Sequence, residues 1–168
     1  MVSIPNGVNV QVSGKKVSVK GPKGSVERVF NVKGLVMKAE GGSVAVGKEK
    51  GSKLDDATVG SITSHVANMI IGVTKGYEKK MQVIYAHFPI SMEVKGDKFI
   101  LKNFIGEKKN REARIAGSTK IVVKGQEVVI SGLNKEDVGQ TVANIRAAVK
   151  IRNRDPRIFQ DGLYVVEG

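Results

Sequence analysis

The stretch VQVSGKKVSVKGPKG, residues 10–24, decides the fold, because a second stretch with the same pattern, MEVKGDKFILKNFIG, occupies residues 92–106. Gly14 and Gly96 correspond at an offset of 82 residues, and the apolar positions around them correspond at the same offset. In both stretches alternating apolar residues flank a short turn that contains glycine, which is typical of a β-hairpin. The two stretches therefore predict two equivalent hairpins.

A second pair of hairpins follows the first. Residues 36–46 (VMKAEGGSVAV) and 120–130 (KIVVKGQEVVI) each show two apolar runs about a glycine turn, at an offset of 84 residues. Short turns of this kind are common between valines, so one coincidence would mean little. A nearly constant offset over two hairpins favours duplication of one β-rich unit closed by a helix.

The helix of the first half is predicted within residues 55–76. Asp55 and Asp56 suit the positive N-terminal end of a helix, and Lys75 and Gly76 suit its C-terminal end. Apolar residues recur at three- and four-residue steps and form one face: Val59, Ile62, Val66, Met69, Ile70 and Val73.

The helix of the second half is predicted to begin at Asn134, which acts as its N-cap, and to end at Pro156. Its buried stripe comprises Val138, Val142, Ile145 and Val149. Arg146, Lys150 and Arg154 stand four residues apart, which places them on one exposed helix face. The apolar tail, residues 163–166, is predicted to pack back as a strand.

The predicted fold class is α+β. Hairpins precede the helix in each half, and strands and helices do not alternate regularly, so the sheets should be antiparallel. We expect two similar tandem domains, residues 1–76 and 77–168, each an antiparallel β-sheet with one packed α-helix.

Charge and composition narrow the function classes. The chain has 168 residues with 28 Lys and Arg against 16 Asp and Glu, a formal net charge of +12. Six of its seven arginines lie in the second half, and a guanidinium pairs with phosphate through two parallel hydrogen bonds. There is no cysteine, no apolar run of membrane-spanning length and no signal-peptide pattern. We expect a soluble protein of the cytosol or an equivalent reducing compartment, with an anionic partner and no membrane contact.

No pattern in the sequence indicates catalysis. The two histidines, His65 and His87, lack zinc-ligand spacing, and GPKGS at 21–25 lacks the ending of a phosphate-binding loop, so a hairpin turn explains it better. His65 is predicted to be a partly buried helix residue and His87 a turn residue. We expect no enzyme activity, no cofactor, no metal and no small-molecule substrate. An RNA-processing enzyme with a metal site, or an interaction scaffold whose charge serves solubility, are the alternatives.

Two basic segments are the candidate RNA-binding sites. The first, within 102–115, contains Lys102, Lys108, Lys109, Arg111 and Arg114, with Phe104 as an aromatic for base stacking. The second contains Arg146, Lys150, Arg152, Arg154 and Arg157. An alternative for the first segment is a solvated loop. An alternative for the tail arginines, Arg152, Arg154 and Arg157, is that they only complete a helix by binding its last carbonyls and Asp155 or Asp161. With no DNA-reading motif and few aromatics, double-stranded or folded RNA is favoured over sequence-read DNA.

Four stretches resemble one protein family: SHVANMIIGVTKGYEKKM (64–81), YAHFPI (85–90), NFIGEK (103–108) and DPRIFQDGLYV (155–165). Together they are similar to the ribosomal protein L6 family of the large subunit, in its archaeal and eukaryotic branch. The most specific element is the C-terminal motif, here Arg154, Arg157, Phe159, Asp161-Gly162 and Tyr164.

The resemblance implies a structural protein of the cytoplasm, with two similar domains, that binds large-subunit rRNA mainly through the C-terminal one. It implies a position near the sarcin–ricin loop and the stalk base, where translation factors dock, with neighbouring ribosomal proteins as further partners. It adds Phe159 to the expected rRNA-binding residues.

Overall fold

The computed structural model describes residues 2–40, 42–49, 51, 55–84, 87–155 and 157–167. The chain divides into two compact units, residues 1–76 (the N-terminal unit) and 77–168 (the C-terminal unit). No helix in the described ranges is long and apolar enough to cross a membrane.

The N-terminal unit contains six strands followed by one helix. They are β1 (Val2–Ser3), β2 (Asn9–Ser13), β3 (Lys16–Gly21), β4 (Gly24–Val29), β5 (Leu35–Glu40), β6 (Ser43–Lys48) and α1 (Asp56–Thr74). Strands β2, β3 and β4 form one antiparallel sheet in that order, and β1, β6 and β5 form another.

Helix α1 closes the core of this unit, as its apolar periodicity predicts. Asp55 is the N-cap, with its side chain accepting a hydrogen bond from the Ala57 amide, and the helix ends before Lys75. Val66 and Val73 are fully buried against Val17 and Val19 of β3. The helix passes so close to the sheet that a Cβ at Gly21 would lie 2.7 Å from the Val73 side chain.

The C-terminal unit repeats this order and adds a final strand. Its elements are β7 (Tyr77–Ile84), β8 (Ser91–Lys95), β9 (Lys98–Lys102), a 3₁₀ turn (Phe104–Gly106), β10 (Arg111–Arg114), β11 (Lys120–Lys124), β12 (Glu127–Gly132), α2 (Lys135–Ala148) and β13 (Gly162–Glu167). One antiparallel sheet has the order β10-β9-β8 and the other the order β11-β12-β7-β13. The apolar tail is therefore a strand, as predicted.

The two units share their hairpins, which confirms the predicted duplication. Gly14 in the β2–β3 turn and Gly96 in the β8–β9 turn have φ angles of 59° and 56°, a left-handed conformation that glycine adopts without steric strain. The units differ in the next connection. Only Pro22 and Lys23 separate β3 from β4, whereas residues 103–110, the β9–β10 loop, separate β9 from β10.

Helix α2 packs its predicted stripe into the core of the C-terminal unit. The Asn134 side chain accepts a hydrogen bond from the Glu136 amide and caps the first turn. Ile145 is fully buried, and Val142 is 6% exposed, among residues that include Phe99 of β9.

The predicted end of α2 is wrong. The helix stops at Ala148 rather than near residue 156, so Lys150 and Arg154 do not continue the helix face of Arg146. Pro156, which was expected to end the helix, lies outside the described residues. The carbonyl of Ala148, the last residue of α2, instead accepts a hydrogen bond from an arginine of a distant strand. Asn153, after the helix, adopts a left-handed φ of 57°, so the chain has left the helical path before the proline.

Candidate nucleic-acid interface

Arg111 joins the two basic segments that the sequence presents separately. From β10, its Nε and Nη2 atoms donate to both oxygens of the Glu107 carboxylate, at 2.8 and 2.6 Å. Its Nη1 atom donates to the carbonyl oxygens of Ala148 and Lys150, at 2.8 and 2.7 Å. The guanidinium thus binds the β9–β10 loop to the end of α2, where the orphan carbonyls of a helix need donors. Both basic segments consequently border one place in the C-terminal unit.

The Phe104 ring packs against the Arg111 guanidinium and is too deeply buried to contact RNA. Its ring is 1% exposed within the core, and the Arg111 guanidinium lies 4.5 Å from the ring centroid. The prediction that Phe104 stacks on bases is therefore wrong. Base stacking needs a solvent-exposed aromatic face, and here Arg111 and the core residues cover the Phe104 ring.

The positive charge of Arg152, which follows α2, acts on the same loop. Hydrogen bonds from Arg111 lower the pKa of the Glu107 carboxyl, and the positive charges of Arg111 and Arg152 lower it further against the opposing effect of partial burial. Arg152 therefore lies within electrostatic range of Glu107, although the two residues are far apart in sequence.

Arg111→Lys should destabilise the protein by about 2 kcal/mol, because a lysine cannot bind the carboxylate with two parallel bonds and two carbonyls together. Thermal unfolding of the full chain measures the effect. Arg114→Lys is the matched control on the same strand, since the Arg114 side chain is exposed and the change should stay within about 0.5 kcal/mol. Equal melting temperatures for the two variants would contradict a structural role for Arg111.

Most of the other predicted cations remain available. Seven of them have exposed side chains that make no hydrogen bond or ion pair with any residue that the structure describes: Lys108, Lys109, Arg114, Arg146, Lys150, Arg152 and Arg157. Lys102 differs, because its ammonium donates to the Glu93 carboxylate at 2.7 Å. That hydrogen bond, together with the neighbouring charge, lowers the pKa of Glu93.

Arg154 and Phe159 form a pair in the segment that precedes β13. The Arg154 guanidinium lies 5.2 Å from the Phe159 ring centroid, and the His87 ring packs near the same phenyl group, with centroids 5.3 Å apart. The positive charge of Arg154 therefore lies against the aromatic ring of Phe159.

Asp161 anchors this segment, a role that sequence reasoning missed. Its side chain is fully buried and accepts hydrogen bonds from the His87 amide at 2.8 Å and from His87 Nδ1 at 2.5 Å. His87 does lie in a bend, as predicted, but its partner is 74 residues away and nothing local identifies it. The pairing holds the start of β13 against the segment after β7.

Asp155 organises a turn rather than neutralising the arginines. Its Oδ1 accepts from the Arg157 amide at 2.9 Å, and its carbonyl accepts from the amides of Ile158 and Phe159. Among the described residues, the arginine that completes the helix end is Arg111 and none of the tail arginines. The alternative role of completing the helix end thus belongs to Arg111, which the sequence analysis assigns to RNA binding.

Comparison with known proteins identifies the family. The family model described as ribosomal protein L6 matches residues 4–76 and 88–162. The chain belongs to the ribosomal protein L6 family. The large ribosomal subunit protein uL6 of Methanocella arvoryzae is 50% identical over 165 residues, covering 98% of this chain and 93% of that protein. The uL6 proteins of Methanosarcina mazei (50% over 166 residues; 99% and 94% covered) and Aeropyrum pernix (45% over 167 residues; 99% and 92% covered) are also similar.

Membership in the ribosomal protein L6 family confirms several predictions from the sequence. The model matches twice, which agrees with two similar α+β domains. The archaeal relatives fit the predicted archaeal and eukaryotic branch. Family members are structural, non-enzymatic ribosomal components, so the chain is a cytoplasmic ribosomal protein and not an enzyme.

The alternative of a metal-dependent RNA-processing enzyme would need carboxylates or histidines clustered as metal ligands. In the ranges described, no three His, Cys, Asp or Glu side chains form such a group.

Proposed function

We propose that this protein is a structural constituent of the large ribosomal subunit and binds large-subunit rRNA mainly through residues 77–168. The observation that carries the proposal is the Arg111 bridge, which brings the β9–β10 loop and the segment after α2 together while their other cations stay exposed. The names of the archaeal relatives, which are large-subunit proteins, support the same assignment.

The proposed phosphate-binding set is narrower than the sequence alone suggests. It contains Lys108, Lys109, Arg114, Arg146, Lys150, Arg152 and Arg157, with Arg154 and Phe159 beside them as a cation on an aromatic surface. Lys102 stays a weaker candidate because it is paired with Glu93. Arg111 serves the fold of the site, since its hydrogen bonds are made within the protein.

Contacts of this kind position the protein without selecting a base sequence. Lysine and arginine neutralise phosphates and release counterions, so affinity depends strongly on salt, and specificity comes from the shape of the folded RNA.

We propose that the bound rRNA lies near the stalk base and the translation-factor docking region, with neighbouring ribosomal proteins as additional partners. Hydroxyl-radical cleavage of rRNA from iron tethered at an introduced Lys109→Cys would test this position. Cleavage confined to regions distant from the factor-docking site would contradict it.

Residues 77–168, produced alone, should fold and retain most of the rRNA affinity. The buried core that contains α2 is built entirely from residues of this unit, and so is the proposed phosphate-binding set. Filter binding to large-subunit rRNA compares this fragment with residues 1–76, which form their own core around α1 and serve as the control. Full affinity in the N-terminal fragment and none in the C-terminal one would overturn the placement.

A further inference from the structure

A cleft of about 660 Å³ opens beside the last turns of α2. Ala143 and Ala147 present small side chains on the helix side, and the segment from Phe159 to Tyr164 forms the opposite side. This volume lies within the range of sites that accommodate small organic molecules.

An aromatic ring is fixed at the edge of this cleft. The Tyr164 hydroxyl donates to the Gln160 carbonyl at 2.9 Å, and the ring lies over Gly162, where an added Cβ would be 3.2 Å from it. The ring is nevertheless in contact with solvent, because Tyr164 is 45% exposed. It is a positioned aromatic surface with no protein partner covering it among the described residues.

Two cations line the same cleft. Arg146 from α2 and Lys150 just after it have exposed side chains, and neither side chain is hydrogen-bonded or ion-paired to a described residue. The buried Asp161 carboxylate, which also lines the cleft, accepts two hydrogen bonds from His87. The exposed charge offered to a ligand is therefore positive.

We propose that this cleft receives the base of a single unpaired nucleotide of the bound RNA. The base stacks against the Tyr164 ring, and Arg146 and Lys150 bind the adjacent phosphates. Unpaired bases in folded RNA are recognised in this way, by stacking on aromatic rings combined with cationic contacts to the backbone. The inference rests on the proposed rRNA binding, and it assigns to one part of that interface a contact with a base rather than with phosphate alone.

Titration with two matched small molecules tests the cleft without rRNA. Adenosine 5′-monophosphate and ribose 5-phosphate carry the same sugar and phosphate, but only the first has a base. In heteronuclear NMR spectra of the full chain, millimolar adenosine 5′-monophosphate should shift the amide signals of Ala147, Gly162 and Tyr164 more than ribose 5-phosphate does. Equal shifts from both compounds would overturn the base contact.

Filling the cleft tests the same contact on rRNA. Ala147→Phe should weaken binding to large-subunit rRNA roughly tenfold, the size of a lost stacking contact, with an unchanged salt dependence because no cation is removed. Gln140→Phe is the matched control, an exposed position two turns earlier on α2 that does not line the cleft. Equal affinity of Ala147→Phe and wild type would overturn the inference and leave rRNA binding intact. If wild type failed to bind rRNA, the proposed function would fall, while the NMR comparison would still decide whether the cleft binds a base.

Discussion

Val142→Asp should destabilise the C-terminal unit by about 3–5 kcal/mol, because it buries an unpaired carboxylate among apolar side chains. Val142 is 6% exposed and packs in the same core as the fully buried Met81, Phe99 and Ile145. A domain of this size has a total stability of only about 5–15 kcal/mol. The variant should therefore be largely unfolded at moderate temperature and should lose rRNA binding along with its structure.

Arg146→Asp, one helical turn later, is the matched control with the same introduced side chain. Arg146 is exposed, so the fold should survive, while rRNA binding should weaken through the loss of a phosphate contact and the added repulsion. Circular dichroism melting of both variants and filter binding of the folded one measure the two effects. Similar melting temperatures for the two proteins would mean that the orientation of α2 described above is wrong.

Local patterns in the sequence predict most of the fold. Gly14 and Gly96 mark equivalent turns because glycine adopts the left-handed conformation of such turns without the steric strain that a Cβ causes. Asn134 marks the start of α2 because a helix begins where a side chain can accept from its free amides. Such signals lie within a few residues of the structure that they determine, so a single sequence is sufficient to find them.

The end of α2 and the function of Arg111 depend on distant contacts and cannot be predicted in that way. The four-residue spacing of Arg146, Lys150 and Arg154 is compatible with a continuing helix. What binds the helix end is Arg111, which lies 37 residues from Ala148 and 39 from Lys150 in sequence. From composition alone, an arginine that binds carbonyls within the protein cannot be distinguished from one that binds phosphate. The same limit explains why the bond between Asp161 and His87 was missed.

Replacing Lys109, Arg152 and Arg157 together with alanine should make the plot of log affinity for rRNA against log salt concentration shallower by roughly 2–3 units. Each lost phosphate contact removes about 0.7–0.9 from the slope, because one fewer counterion is released on binding. The three residues come from both basic segments, and their exposed side chains make no hydrogen bond or ion pair with a described residue. The melting temperature should therefore change little.

The matched control is the triple replacement of Lys20, Lys33 and Lys38 with alanine in the N-terminal unit. These lysines are also exposed, and the change in net charge is the same, so any difference in slope reflects location rather than total charge. A slope equal to that of wild type is expected for this control. If both triple variants lost the same slope, rRNA binding would depend on the overall charge, and the assignment to the C-terminal unit would fail.

A third variant separates the effect of charge from that of side-chain geometry at the two arginine positions. With Arg152→Lys and Arg157→Lys, the charges remain, so the slope should stay close to that of wild type. The affinity should nevertheless fall at every salt concentration, because an ammonium cannot form the two parallel hydrogen bonds that a guanidinium makes with phosphate. If lysine supported wild-type affinity, the tail arginines would act only as point charges. If the alanine variant kept the full slope but melted at a lower temperature, these side chains would stabilise the fold, as Arg111 does, and would not contact RNA.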